Sequence, residues 1–371
     1  MVRRARLLLL ALALLFPGEA RAATEPLTAK AYALIEAGSG RLLLGDHEHD
    51  RRPMASTTKI MTALLVLESG EDLDALIPIP PEAAGVEGSS MHLAAGEQVS
   101  LRDLLYGLMM VSGNDAAVAL AIHLSGSVEA FARRMNERAA ALGLDDTHFM
   151  NPNGLHDPQH YTSAYDLCRL AAAAMALPSF RELVNTQRYT ASTGSRHRTF
   201  RTKNRMLTEV EGGCGVKTGF TKKAGRCLCF AARRQGMLLV GAVLNAPEMW
   251  GDAKKLLDRG FDAYELHTFL VPGRKAGTVP VTGSEKKTLP AVAKEGILYP
   301  VKRDGSEDAR LDIRLAEGLA APVEPGAEVG KAILTVNGQQ VEAVPLYAEE
   351  GAGPLTFGWF FKRVADGYLA A

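Results

Sequence analysis

Residues 53–62 read Pro53-Met54-Ala55-Ser56-Thr57-Thr58-Lys59-Ile60-Met61-Thr62. They open an apolar helix predicted over 57–68, with Ile60, Leu64 and Leu67 on one face. Ser56 and Lys59 are three apart at its start, so they share a face. The unpaired N–H groups of a helix start also point at incoming negative charge. A serine hydroxyl is a poor nucleophile without an adjacent base. Lysine can be that base only when neutral, and at its ordinary pKa only about one in a few thousand is neutral at pH 7. Lowering the pKa by about three units costs about 4 kcal/mol, drawn from burial and a nearby positive charge. The spacing therefore predicts that Lys59 is buried, with Lys217 a candidate for the second charge.

The flanking sequence sets the architecture. Upstream, apolar runs at 31–36 and 41–44 around Gly38-Ser39-Gly40 read as a β-hairpin. Downstream, 101–144 is rich in Leu, Ala and Met at helical spacing, with Ser100 and Asn114 as N-cap candidates. A further helix is predicted over 163–175, stopping before Pro178. Runs at 225–234 and 237–245 read as paired strands around Gln235-Gly236, and 252–267 as helix. Strands on both sides of a helical block imply one sheet covered by helices, an α/β (α+β) domain over 24–270. Beyond Pro272-Gly273, short runs at 278–281, 311–315, 332–336 and 341–344 alternate with turns, and Asn337-Gly338 is a strong hairpin signal. These predict a small all-β domain over 273–350. The tail, 354–371, is amphipathic, with Phe357, Phe360, Phe361, Val364 and Tyr368 on one helical face. It is too short to span a bilayer. It fits either the membrane interface or a docking face on its own domain.

The chain has 371 residues, with 42 Lys plus Arg against 42 Asp plus Glu. That balance argues against nucleic acid as a partner, because phosphate binding needs a basic excess. Arg3, Arg4 and Arg6, an apolar run over 7–16 and Ala20-Arg21-Ala22 read as an export signal over 1–22. The mature protein is then expected in the periplasm or on the outer face of the cytoplasmic membrane. The four cysteines, Cys168, Cys214, Cys227 and Cys229, make no disulfide framework in so long a chain. Cys227 and Cys229 alternate onto one strand face and read as core. No Cys/His spacing resembles a zinc site, and no cofactor is expected.

Three short motifs occur in order: Ser56-Thr57-Thr58-Lys59, Ser112-Gly113-Asn114 and Lys217-Thr218-Gly219. Such a set belongs to penicillin-binding proteins and class A β-lactamases. The match extends through Gly88-Ser89-Ser90-Met91, Asn114-Asp115-Ala116-Ala117, Asn151-Pro152-Asn153-Gly154-Leu155, Phe220-Thr221, Ala224-Gly225 and the stretch from Ala321-Pro322-Val323 to Gly330. Over about residues 26–347 the chain resembles the D-alanyl-D-alanine carboxypeptidase family of low-molecular-mass penicillin-binding proteins.

The resemblance implies a serine β-lactamase/transpeptidase-like fold that acts on peptidoglycan stem peptides and is acylated by β-lactams. Ser56 would be the acylated nucleophile, Lys59 the general base, and Ser112 the relay to the departing D-alanine. Asn114 would hold the peptide amide, Lys217 would add positive charge, and the Thr218 hydroxyl would meet the terminal carboxylate. Gly219 would let the strand approach the substrate. The N–H groups of Ser56 and Phe220 would form the oxyanion hole. The family pattern also places a carboxylate-binding arginine shortly before the last helix of the domain. Residues 245–250 contain none, and Met249 falls near that position. Carboxylate recognition then rests on Lys217 and Thr218 or on an arginine from elsewhere.

Blander readings cover the remaining candidates. The second Ser-x-x-Lys match, Ser284 to Lys287, lies in a polar loop. Residues 151–155 are a turn by composition. His47, His49, His148, His156 and His160 sit in polar loops and read as solvated. Met109-Met110 reads as core. Glu182 to Asn185 is one residue short of the deacylating Glu-x-x-x-Asn pattern of class A β-lactamases and reads as helix surface. The alternatives are a β-lactamase, a D,D-endopeptidase and a non-catalytic wall-binding protein on the same scaffold.

Overall fold

The computed structural model describes residues 26–369, and the export signal predicted at 1–22 lies outside them. The predicted hairpin forms from β1 (Ala31–Glu36) and β2 (Leu42–Asp46), whose turn N–H groups at Gly38 and Ser39 donate to the Glu36 carboxylate. Strands β3 (Gly213–Thr221), β4 (Gly225–Arg234) and β5 (Met237–Leu244) complete an antiparallel sheet in the order β2-β1-β5-β4-β3. Edge strand β3 carries the Lys-Thr-Gly motif.

Period-two alternation divides the sheet between two cores. Ala33, Ile35, Cys227, Cys229, Val240 and Ala242 face a helical layer. That layer contains α1 (Lys59–Glu68), α2 (Leu101–Met110), α3 (Asn114–Ser125), α4 (Val128–Ala141), α5 (Ala164–Ala176) and α6 (Pro178–Asn185). Leu34, Leu228, Phe230, Leu239 and Val243 face Leu256, Leu257 and Phe261 of α7 (Met249–Ala263). Cys227 and Cys229 are buried as expected, and all four cysteines are free thiols.

Helix ends follow their capping residues. The Ser100 hydroxyl accepts from Asp103 N–H, and Ser163 does the same for Asp166. Pro178 does more than stop α5. It starts α6 at the first-turn position, where a missing N–H is harmless. Asn114 is not an N-cap: it is the first residue of α3, and its side chain is turned to other partners. The helix predicted over 252–267 runs instead from Met249 to Ala263. Tyr264–Leu270 then becomes β6, which pairs antiparallel with Ile297–Lys302. That strand partner lies far along the chain, so local periodicity could not reveal it.

The C-terminal module holds a six-stranded sheet that contains the Asn337-Gly338 hairpin, in which both turn residues adopt positive φ. Arg41 of the first module donates to the Pro300 carbonyl and pairs with Glu307, while its guanidinium lies over the rings of Tyr264 and Tyr299. The tail forms α8 (Phe357–Leu369).

Near the future cleft, Arg198 donates to both Glu97 oxygens and to the Met91 and His92 carbonyls, each at 2.8 Å. Both side chains of this ion pair are buried. Burial would raise the Glu97 pKa. Arg198 and the N–H groups of Ala94 and Ser195 outweigh it and hold Glu97 down to about 2. Arg198→Met would leave this buried carboxylate unpaired, at an expected loss of about 3–5 kcal/mol. Urea unfolding at pH 7 measures it, and a loss below about 1 kcal/mol would show that solvent reaches Glu97.

Candidate active site

Ser56 lies in the 3-10 turn Ala55–Thr58 that leads into α1. Ala55, just before it, has φ 49°, a left-handed bend that turns the chain into the helix. Lys59 is the first residue of α1 and is fully buried, as its spacing from Ser56 predicts. Its Nζ lies 3.0 Å from Ser56 Oγ, 2.7 Å from Asn114 Oδ1 and 2.6 Å from the Asn153 carbonyl. Burial pushes the Lys59 pKa well below the ordinary lysine value, and the positive charge of Lys217 adds to the effect. Asp115 opposes them. An amine that had lost its proton would keep two N–H donors, matching Asn114 Oδ1 and the Asn153 carbonyl. Its lone pair then faces the Ser56 hydroxyl.

Ser112 occupies the break between α2 and α3 at φ 61°. Lys217 Nζ donates to Ser112 Oγ at 3.1 Å and to the Thr218 carbonyl at 2.9 Å. Burial alone lowers the Lys217 pKa to about 7. Two lysines thus converge on two serines, with one positive charge tolerated far better than two.

Three close backbone approaches hold the arrangement. A Cβ on Gly219 would come 3.1 Å from Ser56 N, so β3 is pressed against the Ser56 turn. A Cβ on Gly154 would come 2.0 Å from the Ala55 carbonyl oxygen, and Gly154 has φ 89°. A Cβ on Gly88 would come 2.8 Å from Asn114 Nδ2, which donates to the Glu87 carbonyl. Asp115 ties down that same loop by accepting from Ser90 Oγ and from the N–H groups of Met91 and Leu93.

A cleft of about 600 Å³ opens over these groups. Ser56, Ser112, Lys217, Thr218, Gly219 and Phe220 line it, and the Phe220 ring is 65% exposed. Asn114 is not in the lining. It is buried behind Lys59, with its amide committed to Lys59 and Glu87. Met109, Met110, Leu183 and Val184 form apolar walls, and Met249 and Trp250 lie at the α7 side. Glu182 and Asn185 are exposed, as a helix-surface reading requires. Ser284 is buried in the other module. Its Oγ accepts from Lys286 N–H, and Lys287 reaches only its carbonyl, so this match is no nucleophile pair.

Sequence reading missed several residues. Residues 151–155 do form a turn, held by Asn151 Oδ1, yet that turn aims the Asn153 carbonyl at Lys59. His160 is buried, not solvated: Nε2 lies 2.7 Å from Thr58 Oγ1, and burial lowers its pKa to about 4. Arg226 lines the cleft from β4 with no local motif to flag it.

Gly154→Ala should cost about 2–4 kcal/mol, from left-handed backbone strain and the clash with Ala55. It should also slow any chemistry at Ser56, because the Asn153 carbonyl must move off Lys59. The urea midpoint checks the first effect. An unchanged midpoint would mean that the turn relaxes freely.

The family model described as D-alanyl-D-alanine carboxypeptidase matches residues 19–248, and the one described as penicillin-binding protein 5, C-terminal domain, matches 264–352. The D-alanyl-D-alanine carboxypeptidase DacF of Bacillus subtilis is 31% identical over 344 residues, covering 90% of this chain and 88% of the relative. A D-alanyl-D-alanine carboxypeptidase of a Streptomyces species is 39% identical over 264 residues, covering 65% of this chain and 90% of the relative. The structure of penicillin-binding protein 5 from Haemophilus influenzae superposes with a TM-score of 0.76 at 30% identity, over 88% of this chain and 98% of that one. The geometry around Ser56 and these likenesses converge: the chain belongs to the D-alanyl-D-alanine carboxypeptidase family.

Proposed function

We propose that this protein is a serine D,D-carboxypeptidase that removes the terminal D-alanine from peptidoglycan stem peptides, with Ser56 as the acylated nucleophile. The observation that carries the reading is the fully buried Lys59, 3.0 Å from Ser56 Oγ. A lysine so placed serves chemistry better than stability, since burying its charge is unfavourable.

In this mechanism Ser56 Oγ attacks the carbonyl of the penultimate D-alanine and its proton passes to neutral Lys59. The N–H groups of Ser56 and Phe220 receive the developing oxyanion, a contribution of about 3–4 kcal/mol per donor in such sites. The tetrahedral intermediate collapses, the C–N bond breaks, and Ser112 passes a proton to the leaving amine. Lys217 supports Ser112 and supplies positive charge, and Thr218 meets the carboxylate. Asn114, buried behind Lys59, holds that amine in place and does not reach the substrate. Water then hydrolyses the ester. A β-lactam enters the same path, acylates Ser56 and leaves slowly. Endopeptidase cleavage of a cross-link would use the same groups.

The second part of the proposal concerns location. Exported by 1–22, the protein would lie against the membrane through α8. Phe357, Phe360, Phe361 and Val364 are 84%, 52%, 69% and 66% exposed, an apolar stripe that an interface would cover. No described helix is long and apolar enough to cross a bilayer.

Intact mass after brief incubation with benzylpenicillin tests the chemistry. A stable adduct is expected on the wild type and on Ser284→Ala, and none on Ser56→Ala. Rapid loss of penicillin without an adduct would mean a β-lactamase, and no reaction a non-catalytic protein. The acylation rate should follow a bell in pH. It rises as Lys59 loses its proton, at a pKa that burial and Lys217 hold well below the ordinary lysine value. It falls again, from about 7 in the free enzyme, as Lys217 is neutralised. A rate flat in pH would remove Lys59 as base. For the tail, sedimentation with anionic vesicles should carry down the full mature chain but not Phe360→Asp/Phe361→Asp. Equal sedimentation of both would refute the anchor.

A further inference from the structure

The proposed substrate ends in a carboxylate, and so do penicillins. The cleft is built for an anion: its lining contains Lys203, Lys217 and Arg226 and no aspartate or glutamate. Of these, Lys217 is poorly suited to hold a carboxylate alone. Its Nζ is committed to Ser112 Oγ and the Thr218 carbonyl, and burial makes its charge marginal near pH 7.

Arg226 is less constrained. It lies on β4 directly across from Phe220 on β3, so the two side chains share a sheet face. Thr218 is on that face too, diagonal to Arg226, a separation that a long side chain spans. Arg226 is exposed to the cleft, and Nη1 donates to the Pro247 carbonyl at 3.1 Å, which tethers one end of the guanidinium to the segment before α7. Its other N–H groups have no partner among the described residues. A guanidinium carries a permanent charge and a planar fork of donors that matches a carboxylate two oxygens at a time. Residues 245–250, by contrast, offer no arginine and line the adjacent wall with Met249 and Trp250.

We propose that Arg226, on β4 across from Phe220, is the specificity-determining residue that receives the terminal carboxylate of the peptide and of β-lactams. The inference deepens the carboxypeptidase reading and rests on it. Arg226 acts in binding and orientation, not in proton transfer.

The test uses the mature full-length chain and two acyl-D-alanyl thioesters that differ only in the leaving group, one ending in a carboxylate and the other in its methyl ester. The wild type should prefer the carboxylate form. Arg226→Gln should lower kcat/KM for that form by about 10–100-fold, mainly through KM, and leave the methyl ester rate unchanged. Arg226→Lys should retain part of the preference, and the thermal midpoints of both variants should match the wild type. An equal loss on both thioesters, or no loss on either, would overturn the proposal. So would a preference abolished by Lys203→Gln and kept by Arg226→Gln. Failure of the carboxypeptidase reading looks different: the wild type itself would turn over neither thioester and form no penicillin adduct, and the role of Arg226 would fall with it.

Discussion

An amine held out of water is the constraint around which this site is organised. Lys59 starts α1 within the helical layer, where its charged form is disfavoured by burial and by Lys217. What makes the position tolerable is that the amine has three partners: Asn114 Oδ1, the Asn153 carbonyl and the Ser56 hydroxyl. Remove one, and a buried polar group is left unsatisfied at about 1–3 kcal/mol. The amine is therefore both an energetic liability and a geometric lock.

Each partner has its own support, and the supports come from distant parts of the chain. Asn114 is braced by the loop from Glu87, which Asp115 and the Arg198–Glu97 pair hold down. The Asn153 carbonyl is aimed by a turn wedged against Ala55, where only glycine fits at position 154. Ser56 is pinned between that turn and β3, because Gly219 lets the strand come close. The sheet is covered by apolar layers on both faces, so its edge is a stiff platform for Lys217 and Thr218. The C-terminal module adds nothing to the cleft lining. It is tied to the first by β6 and by Arg41.

The legible part of the fold was the part governed by local rules. Apolar runs around glycine-containing turns placed β1, β4 and β5, the Ser100 cap placed α2, and Asn337-Gly338 placed a hairpin. Local rules failed where a remote partner decided. Tyr264 to His267 reads as the end of a helix and becomes strand, since Ile297–Lys302 offers a ladder. His160 reads as a solvated loop residue and is buried, since the segment folds under Thr58. Asn114 reads as a cap, yet its amide is drawn to Lys59 and the Glu87 carbonyl.

By itself the sequence determined which residues could do chemistry. Ser-x-x-Lys at a helix start, Ser-Gly-Asn between helices and Lys-Thr-Gly on a strand each carry their meaning within a few residues, because helix and strand periods fix which side chains share a face. Only the tertiary structure decided how those fragments become one site. It buried Lys59 and so lowered its pKa, and it brought the Asn153 carbonyl to that amine. It also set Arg226 beside Phe220 at the cleft. Burial and cross-strand register are properties of contacts between segments far apart in the chain, and no local pattern encodes them.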